Sequence, residues 1–106
     1  MTTRFLPQYG NRMQIANEPP EPGLELFVPQ FIKDRLTEIQ ELLESKNMKN
    51  IQLKAHEWKG FSAPYGFSNL ERMARTIEES NLETCITILI QAQNYCLERQ
   101  KLLGNV

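Results

Sequence analysis

Apolar residues recur every three or four positions along most of this chain, a spacing typical of amphipathic helices. The pattern predicts four helices, over residues 29–45, 48–63, 68–79 and 82–103. The residues predicted to face inward are Ile32, Leu36, Ile39, Leu43, Ile51, Ala55, Trp58, Ser62, Leu70, Ala74, Ile77, Cys85, Ile88 or Leu89, Ala92, Cys96 and Leu103. No segment alternates as a strand does. Because the connections are short, we predict an all-α fold, an antiparallel four-helix bundle over residues 24–106.

Residues that break helices set off the start of the chain. They are Pro7, Pro19, Pro20, Pro22 and Gly23. We therefore predict an extended N-terminal arm over residues 1–23. Phe5, Leu6 and Tyr9 are the candidates for packing this arm across the bundle.

Local signals place the helix ends. Asn47 is suited to cap the second helix, because its side-chain oxygen can accept from a free backbone N–H. The run Ser68-Asn69-Leu70-Glu71 fits a capping box, which predicts the start of the third helix. Gly104 predicts the end of the fourth.

Composition narrows the function classes. The chain has 106 residues, one domain's worth, with 12 Lys+Arg against 13 Asp+Glu and a net charge of −1, which argues against a nucleic-acid binder. No run of about 18 apolar residues predicts a membrane span, and the start lacks a secretory signal's apolar stretch. Cys85, Cys96 and a single histidine, without a CxxC motif, do not fit the common zinc sites. We therefore expect a cytoplasmic protein with buried, reduced thiols and no metal.

His56 is the residue best placed for chemistry. At about 100° per residue, the apolar Trp58, Ile51 and Ala55 lie about 200° to 260° around the helix from it, so the imidazole is predicted to face outward. Gly60, one turn later, costs about 1 kcal/mol relative to Ala in a helix. A neutral imidazole is a good nucleophile near neutral pH.

The neighbours of His56 fit the acceptance of a phosphoryl group. Lys59 places an ammonium beside the ring, where it could neutralise phosphoryl oxygens. Gly60 removes the side chain that would shade the ring and leaves room for a large donor. Gln52 and Ala63 share this face, and the apolar Leu53 lies about 60° away. We expect these last three residues to contact a docking partner.

The run His56-Glu57-Trp58-Lys59-Gly60, with Gly66, Leu70 and Glu78 downstream, resembles the signature of histidine-containing phosphotransfer (HPt) domains. In that family the pattern is H-x-x-K-G, then a glycine ten residues after the histidine and a leucine four beyond it. The resemblance covers residues 24–103 and implies an HPt-type four-helix bundle. Phe61 departs from the pattern, since the family usually has a small residue there, and this leaves partner choice open.

The resemblance implies a phosphorelay intermediate. His56 would take a phosphoryl group on Nε2 from a receiver-domain aspartate and pass it to another, Lys59 would steady the phosphoryl oxygens, and Glu78 would accept a hydrogen bond from Nδ1. The implied partners are receiver domains of response regulators and hybrid sensor histidine kinases, with Mg²⁺ held only by the receiver. The chain would be a phosphoryl-group carrier and not an enzyme, and without an ATP-binding motif it should not phosphorylate itself. We expect a monomer, because the surface around His56 must be free on one side.

Three alternatives stay open at this point. Glu78 could belong instead to an ion-pair ladder with Arg75 and Glu71, at helical spacing. The whole chain could be a phosphorylation-silent helical adaptor that binds receiver or kinase domains. The third hypothesis is a hydrolytic or metal site on His56 and Glu78, against which one histidine and one carboxylate would leave a metal under-coordinated.

Overall fold

The structure, a computed structural model, describes residues 18–104, and this part of the chain is helical and without strands. The helices are α1 (Val28–Ser45), α2 (Met48–Phe61), α3 (Ser68–Glu78) and α4 (Leu82–Gly104). Helix α1 packs chiefly on α4 and α2 chiefly on α3, while α3 also contacts α4. The predicted all-α class is therefore confirmed for the described residues. None of the helices among them is both long and apolar enough to cross a membrane.

The core follows the predicted periodicity closely. The predicted inward residues that are buried are Ile32, Ile39, Ile51, Ala55, Trp58, Ser62, Leu70, Ala74, Ile77, Cys85, Ile88, Leu89, Ala92 and Cys96. Both cysteines are free thiols. Burial raises the pKa of the Cys85 thiol and raises that of Cys96 to about 12, so both are protonated at neutral pH.

Three of the predicted core leucines lie nearer the surface. Leu36 and Leu43 are only partly buried, at the edge of the core. Leu103 is exposed, and the prediction that it is buried was wrong. It belongs to the last turn of α4 and borders an open cleft with Val28 and Pro20, and within residues 18–104 no further helix packs over it.

A polar cluster ties α1 to the helix that carries His56. Two guanidinium nitrogens of Arg35 donate to the Glu38 carboxylate, at 2.8 and 3.1 Å. The indole N–H of Trp58 donates to the same carboxylate at 2.8 Å. Since Trp58 is fully buried, this bond satisfies its one polar group and fixes the inner face of α2.

The end of α2 and the cap of α3 differ from their predictions. Helix α2 ends at Phe61, before a 3-10 turn over Ala63–Tyr65, because the residue before Pro64 is disfavoured in an α-helix. The predicted capping box was wrong: Ser68 is the first residue of α3, and its backbone N–H and its hydroxyl both donate to the Glu18 carboxylate, each at 2.9 Å. The cap predicted at Asn47 is confirmed, since its side chain accepts from the Asn50 N–H at 3.0 Å.

The described end of the N-terminal segment lies on the connection between α2 and α3. Residues 18–23 form no helix or strand. The Glu21 N–H donates to the Pro64 carbonyl at 2.8 Å, and an Arg99 guanidinium nitrogen donates to the Glu18 carbonyl at 3.5 Å. The contacts predicted for Phe5, Leu6 and Tyr9 lie outside the described residues, and the domain boundary at residue 23 stays a prediction.

Replacing Gly66 and Gly60 by alanine should change the free energy of unfolding in opposite directions. Gly66 has a φ of +89°, and a Cβ there would lie 2.6 Å from the Glu18 carbonyl oxygen. Gly66→Ala should therefore lower the free energy of unfolding by about 2 kcal/mol or more. A Cβ at helical Gly60 would meet no heavy atom within 4 Å, so Gly60→Ala should raise it by up to about 1 kcal/mol. Urea unfolding of both variants checks this, and equal shifts in one direction would contradict it.

Candidate functional site

His56 stands on the outer face of α2, as the helical wheel predicts. Its neighbours along the helix, Ala55 and Trp58, are fully buried in the core. The His56 side chain, however, is 71% exposed. The ring is therefore accessible to another protein.

Glu78, the last residue of α3, brings the candidate residues together. One carboxylate oxygen lies 3.0 Å from His56 Nδ1, and the other accepts from Lys59 Nζ at 2.7 Å. Arg75 pairs instead with Glu71, at 2.8 Å. The ion-pair ladder on α3 thus forms without Glu78, whose carboxylate is bound from α2.

These hydrogen bonds set the charge state of the site. The bond from Lys59, and then that from His56, hold the pKa of Glu78 below its ordinary value of 4.5. The carboxylate is therefore ionised at neutral pH and can only accept hydrogen bonds. When the imidazole is neutral, its proton lies on Nδ1 and the exposed Nε2 keeps its lone pair.

Lys59 and Gly60 lie on the same side of α2 as His56. Lys59 is bound to the carboxylate that also binds the ring, so its ammonium lies beside the imidazole. Contact between Lys59 and a phosphoryl group stays a prediction. Gly60 is exposed, and because nothing would obstruct a Cβ there, the fold itself does not require a glycine.

The three predicted docking residues differ in their exposure to solvent. Leu53 is 57% exposed, and Ala63 is exposed in the 3-10 turn that follows α2. Gln52 is half-buried, and its Nε2 donates to the Glu78 carbonyl at 3.4 Å. Sequence reasoning missed this contact, because only the placement of α3 against α2 reveals it.

Phe61, the departure from the family pattern, packs toward α1. Its ring meets Phe31 edge-on, with the centroids 6.0 Å apart. The Arg35 guanidinium lies over the Phe61 ring, 4.9 Å from its centroid. The side chain is therefore directed toward the contact between α1 and α2.

The lowered pKa of Glu78 makes the stability of the fold depend on pH. Because its pKa is lowered on folding, the ionised carboxylate stabilises the fold above about pH 4.5, and this contribution is lost as the pH falls through the lowered pKa. In a ¹³C NMR titration we expect a Glu78 midpoint below 4.5 that rises in Lys59→Met. Lys101→Met, which removes a lysine 3.5 Å from Glu98, is the control and should leave the midpoint unchanged. An unchanged midpoint in Lys59→Met would contradict the assignment.

Within residues 18–104 no group of three or more His, Cys, Asp or Glu side chains could hold a metal ion. Comparisons of the chain with profiles of known protein families, with curated protein sequences and with solved structures find no match. His56, Lys59, Gly60 and Glu78, with the motif to which they belong, are therefore the features that bear on function. Their geometry leaves the His56 ring exposed to solvent, with the Glu78 carboxylate at Nδ1 and the Lys59 ammonium bound to the same carboxylate.

Proposed function

We propose that this chain is a histidine-containing phosphotransfer protein, an antiparallel four-helix bundle that relays a phosphoryl group between receiver-domain aspartates. The observation that carries the proposal is the exposed His56, whose Nδ1 faces a carboxylate shared with Lys59. The spacing from His56 to Gly60 and on to Gly66 and Leu70 supports the same conclusion. The alternative hypothesis of a phosphorylation-silent adaptor gives no reason for this arrangement.

In the forward step, the Nε2 lone pair of His56 attacks the phosphorus of an aspartyl phosphate. The N–P bond forms as the P–O bond to the aspartate breaks, and the aspartate leaves as a carboxylate. No proton has to leave Nε2, because the ring proton is on Nδ1. The ring gains positive charge, which the Glu78 carboxylate stabilises from 3.0 Å.

Lys59 supplies the second electrostatic contribution. Its ammonium has three donor hydrogens and can contact a phosphoryl oxygen while one hydrogen stays near Glu78. Such charge neutralisation, together with positioning, accounts for most of the catalysis of phosphoryl transfer. In the return step an aspartate of a second receiver attacks the phosphorus, the N–P bond breaks, and Nε2 recovers its lone pair.

The proposed partners are receiver domains of response regulators and hybrid sensor histidine kinases. They provide the aspartate and the Mg²⁺ that the transfer requires. The chain is then a carrier without an ATP site, acting as a monomer in the cytoplasm, where those partners are. Gly60 leaves space for the receiver, and the exposed Leu53 and Ala63 are suited to contact it.

Transfer from a panel of ³²P-phosphorylated receiver domains tests the proposal. We expect at least one receiver to label the chain with an acid-labile, base-stable phosphate, and the label to move on to a second receiver. Binding of a receiver without label would favour the adaptor and overturn the relay. Release of inorganic phosphate without a labelled intermediate on the chain would favour a hydrolytic site.

A further inference from the structure

Three side chains of α2 converge on one residue of α3. His56 and Lys59 contact the carboxylate of Glu78, and Gln52, one turn before His56, donates to the Glu78 backbone carbonyl at 3.4 Å. The carboxylate contacts belong to the site already described. The contact of Gln52 does not, because it acts on the backbone of the residue that orients the ring.

The Glu78 carbonyl lies at the C-terminal end of α3, and its hydrogen-bond donor comes from outside the helix. The last carbonyls of a helix have no partner within the helix. The Glu79 and Ser80 N–H groups satisfy the carbonyls of Thr76 and Ile77, at 3.1 and 3.2 Å. For the next carbonyl, that of Glu78, the donor comes from α2.

We propose that Gln52 is a positioning residue that holds the end of α3 against α2, so that the Glu78 carboxylate stays within reach of His56 Nδ1. Without the amide donor, the last turn of α3 is held against α2 by fewer contacts, and the Glu78 carboxylate is less firmly fixed beside Nδ1. The hydrogen bond at Nδ1 is then weaker, and the proton of the neutral ring redistributes toward Nε2. The consequence for transfer depends on the proposed function, but the consequence for the tautomer does not.

The tautomer of His56 tests the inference on the intact chain labelled with ¹⁵N-histidine. Gln52→Met keeps the length of the side chain and removes the donor. At a pH where the ring is neutral, long-range ¹H–¹⁵N NMR should show mainly Nδ1–H in the wild type. In Gln52→Met the ratio of Nδ1–H to Nε2–H should fall about threefold to tenfold, the effect of losing one hydrogen bond.

Gln93→Met is the matched control, because it removes the same kind of contact elsewhere. Gln93 on α4 donates to the Gln40 side chain on α1 at 3.1 Å, and both residues lie outside the site. We expect this variant to keep the wild-type tautomer ratio. An unchanged ratio in Gln52→Met, or an equal change in both variants, would overturn the inference.

The transfer assay separates this inference from the proposed function. If a phosphorylated receiver labels the wild type, the initial rate for Gln52→Met should be about threefold to tenfold lower. A shifted tautomer in a chain that no receiver labels would support the role of Gln52 and contradict the relay. Labelling of Gln52→Met at the wild-type rate, with the wild-type tautomer, would contradict only the role of Gln52.

Discussion

His56→Gln should reduce phosphoryl acceptance from a receiver by at least about 1000-fold, because the variant lacks the nucleophile. An amide nitrogen has no free lone pair with which to attack phosphorus. The fold should remain, since 71% of the His56 side chain is exposed and a glutamine amide can still donate to Glu78.

The measurement is the initial rate of label transfer, with urea unfolding as the check on the fold. Glu57→Gln is the matched control, since Glu57 is an exposed neighbour on α2 whose carboxylate binds Lys54 and not the site. It should be labelled at the wild-type rate. Labelling of His56→Gln at a similar rate would place the acceptor on another residue and contradict the site.

Gly60→Gln should lower the rate of transfer from a receiver by about 100-fold or more. The glutamine side chain would obstruct docking of the receiver, while His56 keeps its reactivity. A side chain at this position projects into open space one turn from His56, which is where a receiver would approach under the proposed function. A displacement of about 1 Å in the reacting groups is enough for such a loss. The variant should fold at least as stably as the wild type, because glutamine is a better helix former than glycine.

A small phosphoryl donor distinguishes obstructed docking of the receiver from a loss of His56 reactivity. Phosphoramidate does not need the surface that a receiver occupies, so it should label Gly60→Gln at close to the wild-type rate. Gly60→Ala should fall between the wild type and Gly60→Gln with a receiver. Equal losses with both donors would contradict the idea that Gly60 provides clearance.

The spacing of apolar residues predicts the helices and most of the core, because burial of one helix face depends on local sequence. The errors concern contacts between distant segments. Ser68 looks like a cap by its local sequence, but its amide is satisfied by Glu18, 50 residues away. Leu103 keeps the helical period of α4 but borders an open cleft, which the period of one helix cannot reveal.

The candidate site also combines features that one helix predicts with contacts between helices that it does not. The outward face of His56 and the placement of Lys59 and Gly60 beside it follow from the geometry of one helix. The pairing of Glu78 with the ring came from the family resemblance, since 22 residues separate the two. The contact of Gln52 with the Glu78 carbonyl depends on where α3 ends against α2, and no spacing within α2 encodes that.

The atom that carries the transferred phosphoryl group decides whether His56 is the acceptor. The chain, labelled with ¹⁵N-histidine, is treated with a phosphorylated receiver and examined by ³¹P and ¹⁵N NMR. We predict a phosphoryl group on Nε2 of His56, with the ring proton retained on Nδ1. A phosphoryl group on Nδ1 or on another residue, or no phosphorylation by any receiver or by phosphoramidate, would contradict it.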